Sequence, residues 1–129
     1  MINKLSKEIH QNNKEKGFYE NERNIGELLC LIHSEVSEAL EAHRIEKHTH
    51  EMPSAISQGI QAPNLTKEDA SLFKKEFEAK IKNSFEDELA DTMIRIMDLA
   101  AYLNIDLETH ILAKIQYNKL REHKHGKKY

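Results

Sequence analysis

Glycine and proline are scarce in this sequence, and their placement constrains the fold more than any other feature. The 129 residues contain four glycines and two prolines, and Pro53, Gly59 and Pro63 fall within one short stretch. On either side of it the chain runs with few breakers. Nowhere do apolar and polar residues alternate with the period of two that a half-buried strand needs; they recur about every 3.6 positions instead. An all-α fold follows.

Ile2, Leu5 and Ile9 predict a short first helix ending before Gly17, with Phe18 and Tyr19 as an anchor beyond it. Asn24 and Glu27 have the spacing of a capping pair. Ile25, Leu28, Leu29, Ile32, Val36, Ala39 and Leu40 then mark one face of a helix reaching about residue 45. Residues 47–64 show little periodicity and hold the breakers, so a loop is expected, too poor in apolar residues to order itself. Thr66 and Asp69 predict another helix start, after which Phe73, Phe77, Ile81, Phe85 and Leu89 recur every four residues. This is one long helix or two that meet near Asn83 and Ser84. The pattern continues through Met93, Ile96, Met97 and Ala100 to about Leu103. Asp106 caps a last helix carrying Leu107, Ile111, Leu112 and Ile115, expected to end near Gly126. The expectation is a single domain over residues 1–129, an antiparallel helical bundle with an insertion at about 46–83.

The core is thin for such a domain: 39% of residues are hydrophobic, 6% aromatic and 32% charged. A core shared between subunits fits these numbers, which predicts a homodimer or homotetramer. A net charge of −3 lacks the basic excess of a nucleic-acid-binding surface. No apolar run approaches the ~18 residues of a membrane span. The single cysteine, Cys30, excludes an internal disulfide and suits a reducing, cytoplasmic setting. Flanked by Leu28, Leu29, Leu31 and Ile32, it reads as a small core residue. The histidines, His48 and His50 among them, read as solvated loop residues, because they lack the cysteines or spaced partners of a zinc site.

Two carboxylate pairs stand out against this background. Glu35 falls at the edge of the apolar stripe of its helix, and Glu38 lies three residues on, as a neighbour on the same face. Like charges so close to apolar surface repel each other and lose hydration, which calls for something positive. Glu88 and Asp91 repeat the spacing downstream at the border of another apolar face. Two antiparallel helices each offering such a pair supply four hard oxygen ligands, as Mg²⁺ or Mn²⁺ requires. Taken alone the spacing says little, since 22 acidic residues produce it by chance. Lys114, Asn118 and Arg121 share one face of the last helix, where a cation and an amide are suited to contact phosphate or a base.

Three stretches in order resemble the MazG-like all-α nucleoside triphosphate pyrophosphohydrolases. The first runs from Gly17-Phe18-Tyr19 through Arg23-Asn24-Ile25-Gly26-Glu27 to Ser34-Glu35-Val36-Ser37-Glu38-Ala39; the second is Phe85-Glu86-Asp87-Glu88-Leu89-Ala90-Asp91; the third is Lys114-Ile115-Gln116-Tyr117-Asn118-Lys119-Leu120-Arg121. The resemblance implies the all-α NTP pyrophosphatase fold, with a loop and helical insertion between the two metal-binding helices. It implies metal ligation by Glu35, Glu38, Glu88 and Asp91, with Mg²⁺ as cofactor and Mn²⁺ as a substitute. The Lys114/Asn118 face would meet the nucleotide, and Lys114 and Arg121 would neutralise leaving phosphates. The implied reaction is NTP plus water giving NMP plus pyrophosphate, with Glu38 or Glu35 taking the proton from water. The chain departs from the family pattern at Ser34, which stands where the leading Glu of Glu-Glu-x-x-Glu belongs. That leaves open how many ions bind.

Two other classes compete with this reading. A di-iron bundle uses Glu-x-x-His on facing helices, and here that spacing occurs only as Glu122 with His125, beside Gly126. A non-enzymatic helical interaction protein would leave Glu35 and Glu88 as ordinary surface or packing residues. The stretch 47–64 is either a lid over a bound nucleotide or a solvated linker.

Overall fold

The computed structural model describes residues 1–128. These residues form α1 (Ile2–Glu15), α2 (Ile25–Arg44), α3 (Ser54–Gln61), α4 (Lys67–Lys80), α5 (Phe85–Tyr102), α6 (Leu107–Lys119) and a 3₁₀ turn at His123–Gly126. There is no strand among them, and no helix is long and apolar enough to cross a membrane. The contacts gather into two compact units, Met1–Leu28 with Ile94–Tyr129, and Leu29–Met93.

The helix starts follow from local hydrogen bonds. Asn24 Oδ1 accepts from Glu27 N–H, Thr66 Oγ1 from Asp69 N–H and Asp106 Oδ1 from Thr109 N–H, each satisfying a donor the first turn leaves without an intrahelical partner. Asn83 and Ser84 separate α4 from α5, so the apolar run from Phe73 to Leu89 is two helices. The last helix stops at Lys119 rather than near Gly126.

In the first unit α1 meets α6. Asn3 donates to Asp106 at 2.6 Å and accepts from Glu108 N–H at 3.1 Å, tying the start of one helix to the start of the other. Tyr19 is the anchor, its ring 4.5 Å from His10 and 4.9 Å from Tyr102, whereas Phe18 is exposed.

In the second unit the middle of the expected loop, Ser54–Gln61, is a helix. Pro53 sits at the N-cap of α3 with φ −58°, where its fixed angle suits a helix start and its missing N–H costs nothing. Ile56 is 2% exposed, and α3 packs on α4 so closely that a Cβ at Gly59 would stand 2.4 Å from the Phe73 ring. The segment is poor in apolar residues of its own and orders against those of α4. What reads as breakers in sequence is a helix start and a close approach.

The apolar face of α2 divides. Leu28, Glu35, Ala39 and Ala42 are buried, while Ile25, Leu29, Val36 and Leu40 are exposed. Cys30 is exposed too, so it is not a core residue. Its apolar neighbours occupy both stripes, and flanking composition alone does not tell which side a residue faces.

Candidate metal centre

Glu35 lies seven residues after Leu28 and seven before Ala42, which puts it within the buried stripe of α2 rather than at its edge. It is 6% exposed. Glu88 reaches the same degree of burial from the first turn of α5.

That first turn is held in place by the chain leaving α2. Phe85 N–H donates to Lys47 O at 2.9 Å, Thr49 N–H to Glu86 Oε2 at 2.8 Å, and His48 Nδ1 lies 3.0 Å from Glu86 Oε1. Thr49 Oγ1 and Ser84 Oγ are 2.7 Å apart. Ser84, 1% exposed, accepts from Asp87 N–H, and Asp87 Oδ2 accepts from Asn83 N–H in return. The Thr49 N–H first, then the N–H of Glu86 itself and the His48 ring, lower the Glu86 pKa to about 2. His48 is thus half-buried and bonded to Glu86 rather than solvated, while His50 is exposed.

One consequence is a meeting of three carboxylates from two distant motifs. Glu35, Glu88 and Asp91 each present an oxygen within 4.8 Å of the others. Burial raises the Glu88 pKa to about 7, and the negative charges of Glu38, Asp91, Glu35 and Asp87 push in the same direction. The donor set fits a hard divalent cation. Octahedral Mg²⁺ with bonds of about 2.1 Å places its ligand oxygens roughly 3.0 to 4.2 Å apart, so a small contraction of these side chains closes the shell on an ion. The cation would also offset the lost hydration and the like charges that raise the Glu88 pKa.

Glu38 is exposed and stands outside this trio. It does line the same cavity, about 520 Å³, with Glu35, Glu41, Lys47, Asn83, Glu88 and Asp91. Ser34, at the position where the family pattern has Glu, is exposed and donates to Leu31 O at 2.7 Å. Lys114, Asn118 and Arg121 belong to the other unit and gather at Tyr117. Lys114 Nζ lies 4.8 Å and the Arg121 guanidinium 5.7 Å from that ring's centroid. Asn118 Oδ1 is buried with no hydrogen-bond partner among the described residues.

Sequence reasoning missed Lys47 and Asn83, which adjoin the carboxylates. The signal for Asn83 was its place between two apolar runs, and φ +60° there is a turn conformation that asparagine tolerates. It also missed Asp98, which accepts from Asn13 Nδ2 at 2.9 Å and Tyr19 OH at 2.7 Å and lies 2.7 Å from His10 Nδ1. Asp98 is seven residues after Asp91 on the same helix face, which was readable in advance. Comparison with protein-family models, curated proteins and solved structures finds no match to this chain.

Proposed function

We propose that this chain is a Mg²⁺-dependent nucleoside triphosphate pyrophosphohydrolase of the MazG-like kind, with α2 and α5 as antiparallel metal-binding helices. The observation that carries the reading is the approach of Glu35 to Glu88 and Asp91, two of the three buried, from motifs some fifty residues apart. Burying Glu35 and Glu88 beside a third carboxylate costs hydration and brings like charges together, a poor arrangement for packing alone. Glu35, Glu88 and Asp91 would hold Mg²⁺, whose charge would offset that of the phosphates.

The remaining roles fall to the chain's own groups. Glu38, exposed and lining the cavity, is our choice to take the proton from the water that attacks the α-phosphorus. Lys47, on the same cavity, is suited to neutralise the departing pyrophosphate. On α6, Lys114 and Arg121 flank the Tyr117 ring and Asn118 Oδ1 is buried without a hydrogen-bond partner among the described residues, a set suited to a polar ligand of that unit. The exposed stripe of Leu29, Val36 and Leu40 supports assembly as a homodimer or homotetramer. Light scattering at micromolar concentration checks this, and a monodisperse monomer would refute it.

The test of function is a panel of (d)NTPs with Mg²⁺, assayed for products. Monophosphate with pyrophosphate is expected from at least one. Diphosphate with phosphate would refute α-attack, and no turnover across the panel would favour the interaction-protein reading.

A further inference from the structure

The carboxylate cavity has a neighbour. A second open cavity of about 460 Å³ is lined by the Phe73 and Phe77 rings, by Lys74, Lys82 and Asn83, and by the acids Glu78, Asp87 and Asp91. Asn83 and Asp91 line both, so the two lie side by side at a residue of the carboxylate trio. The Phe73 and Phe77 rings lie nearly parallel, 9° apart, and both are half-buried. Phe73 is held from behind by α3, where the absence of a side chain at Gly59 lets its ring sit flush. One end of the combined trough is therefore hard, anionic oxygen, and the other is a fixed aromatic wall flanked by Lys74 and Lys82.

We infer that this second cavity is the pocket for the nucleobase, with Phe73 and Phe77 as its wall, so that the α3–α4 segment sets base selectivity. The inference rests on the proposed reading of the carboxylates as a phosphate-side metal site. A ligand that suits the whole trough carries phosphates at one end and a planar ring at the other. A base stacks on an aromatic face by dispersion and needs no charge there. Lys82 complements the phosphates that join the two ends, while Lys74 Nζ lies 3.9 Å from Glu78 Oε1. Asn83, at the junction, offers an amide with two donors and an acceptor to the sugar or the base edge. In this account the insertion is neither a linker nor a lid. It builds one wall of the binding site.

Calorimetry on the intact chain with Mg²⁺ tests this without turnover, using α,β-methylene analogues of the common nucleoside triphosphates and inorganic tripolyphosphate. The wild type should bind at least one analogue about tenfold or more tightly than tripolyphosphate, given typical stacking energies. Phe77→Ala should erase most of that preference while leaving tripolyphosphate within about twofold. Phe77→Leu keeps the apolar volume and should lose part of it. Gly59→Ala, which must displace the Phe73 ring, should also weaken the analogue and spare tripolyphosphate. If Phe77→Ala loses helicity by circular dichroism, the other two substitutions carry the test. Equal affinity for analogue and tripolyphosphate, or a preference that survives in every variant, overturns the base pocket and leaves the hydrolase reading standing. A base preference lost with Phe77, in a chain that turns over no nucleotide, upholds the pocket and refutes the hydrolase. Binding of neither probe overturns the pocket.

Discussion

Helix α5 carries carboxylates in two opposite surroundings. Asp98 is nearly buried, and donors converge on it: the Asn13 amide, the Tyr19 hydroxyl and the His10 ring. Glu88, earlier on the same helix, is more deeply buried, and the charges that act on it are acids. The first arrangement is complete as it stands. It ties α1 and the Tyr19 turn to α5 and asks for nothing from outside. The second sets like charges around a buried acid, and such conflicts concentrate where a ligand is to be bound. Burial of an acid therefore says little by itself. What surrounds it separates a strut from a binding group.

The sharpest way to break the comparison is to remove one charge from each surrounding. Glu88→Gln should lower Mg²⁺-dependent turnover by a hundredfold or more, on the order of losing a principal electrostatic group, with helicity unchanged and metal-free stability equal or higher. Asp98→Asn should do the reverse. The Asn13 and Tyr19 donors would face an amide in place of one carboxylate oxygen, which costs about 2–4 kcal/mol of folding stability. Turnover by the fraction still folded should persist. Chemical denaturation alongside initial rates measures both, and a stable but inactive Asp98→Asn would reverse the assignment.

A second expectation concerns metal and stability. Mg²⁺ at a hundred times its dissociation constant should raise wild-type stability by about 2.7 kcal/mol. Thermal melts should show the rise in Asp98→Asn and not in Glu88→Gln. Equal rises in all three proteins would place the ion elsewhere.

Glu88 and Asp106 should also respond to pH with opposite signs. The Glu88 pKa rises from 4.5 to about 7. Between those values the folded chain holds the proton more tightly than the unfolded one. This group's contribution to metal-free stability therefore falls as pH rises through the window. Mg²⁺ affinity should climb over the upper part of that window, because the ion needs the carboxylate. Asp106 is lowered from 3.8 to about 2, by the Asn3 amide first and then by Thr109. Its contribution is fully present above about 3.8 and is lost as pH falls through 2. Denaturation across this range, with and without Mg²⁺, separates the two. A Mg²⁺ affinity flat from pH 5 to 8 would remove Glu88 from the ligand set.

The smallest effect serves as a control that touches neither surrounding. Glu46 ends α2 with φ +56°, and Lys47 N–H donates back to Ala42 O. Glycine is at ease in that conformation, so Glu46→Gly should change stability by only about 0.5–1 kcal/mol, in the stabilising direction. Unaltered metal binding is expected with it. A loss of metal affinity would mean that the end of α2 does more than position Glu35.

The helices were legible in the sequence wherever the signal was local. Asn24, Thr66 and Asp106 cap the helices whose starts they mark, and period alone gave the all-α class. Reading failed where the partner was distant. Ile56 and Gly59 look like loop residues until Phe73 is brought against them. Seven apolar residues on α2 look like one face, and only neighbouring elements divide that face into a buried and an exposed stripe. In the candidate site, the trio Glu35, Glu88 and Asp91 was expected, and the exposure of Glu38 was not. Helical spacing makes Glu35 and Glu38 neighbours, but a 3-residue step still turns the second well away from the first. Lys47 and Asn83 carried no motif, because cavities join residues that sequence spacing does not relate.

The account depends on one point, that Glu35, Glu88 and Asp91 together hold a divalent cation. Mn²⁺ titration followed by electron paramagnetic resonance, with Mg²⁺ as competitor, addresses it directly. Wild-type protein is expected to bind Mn²⁺ saturably and release it to Mg²⁺, with Glu35→Gln and Glu88→Gln each losing at least tenfold in affinity and Asp98→Asn losing none. Absence of saturable binding by the wild type, or undiminished affinity in both glutamine variants, would contradict it.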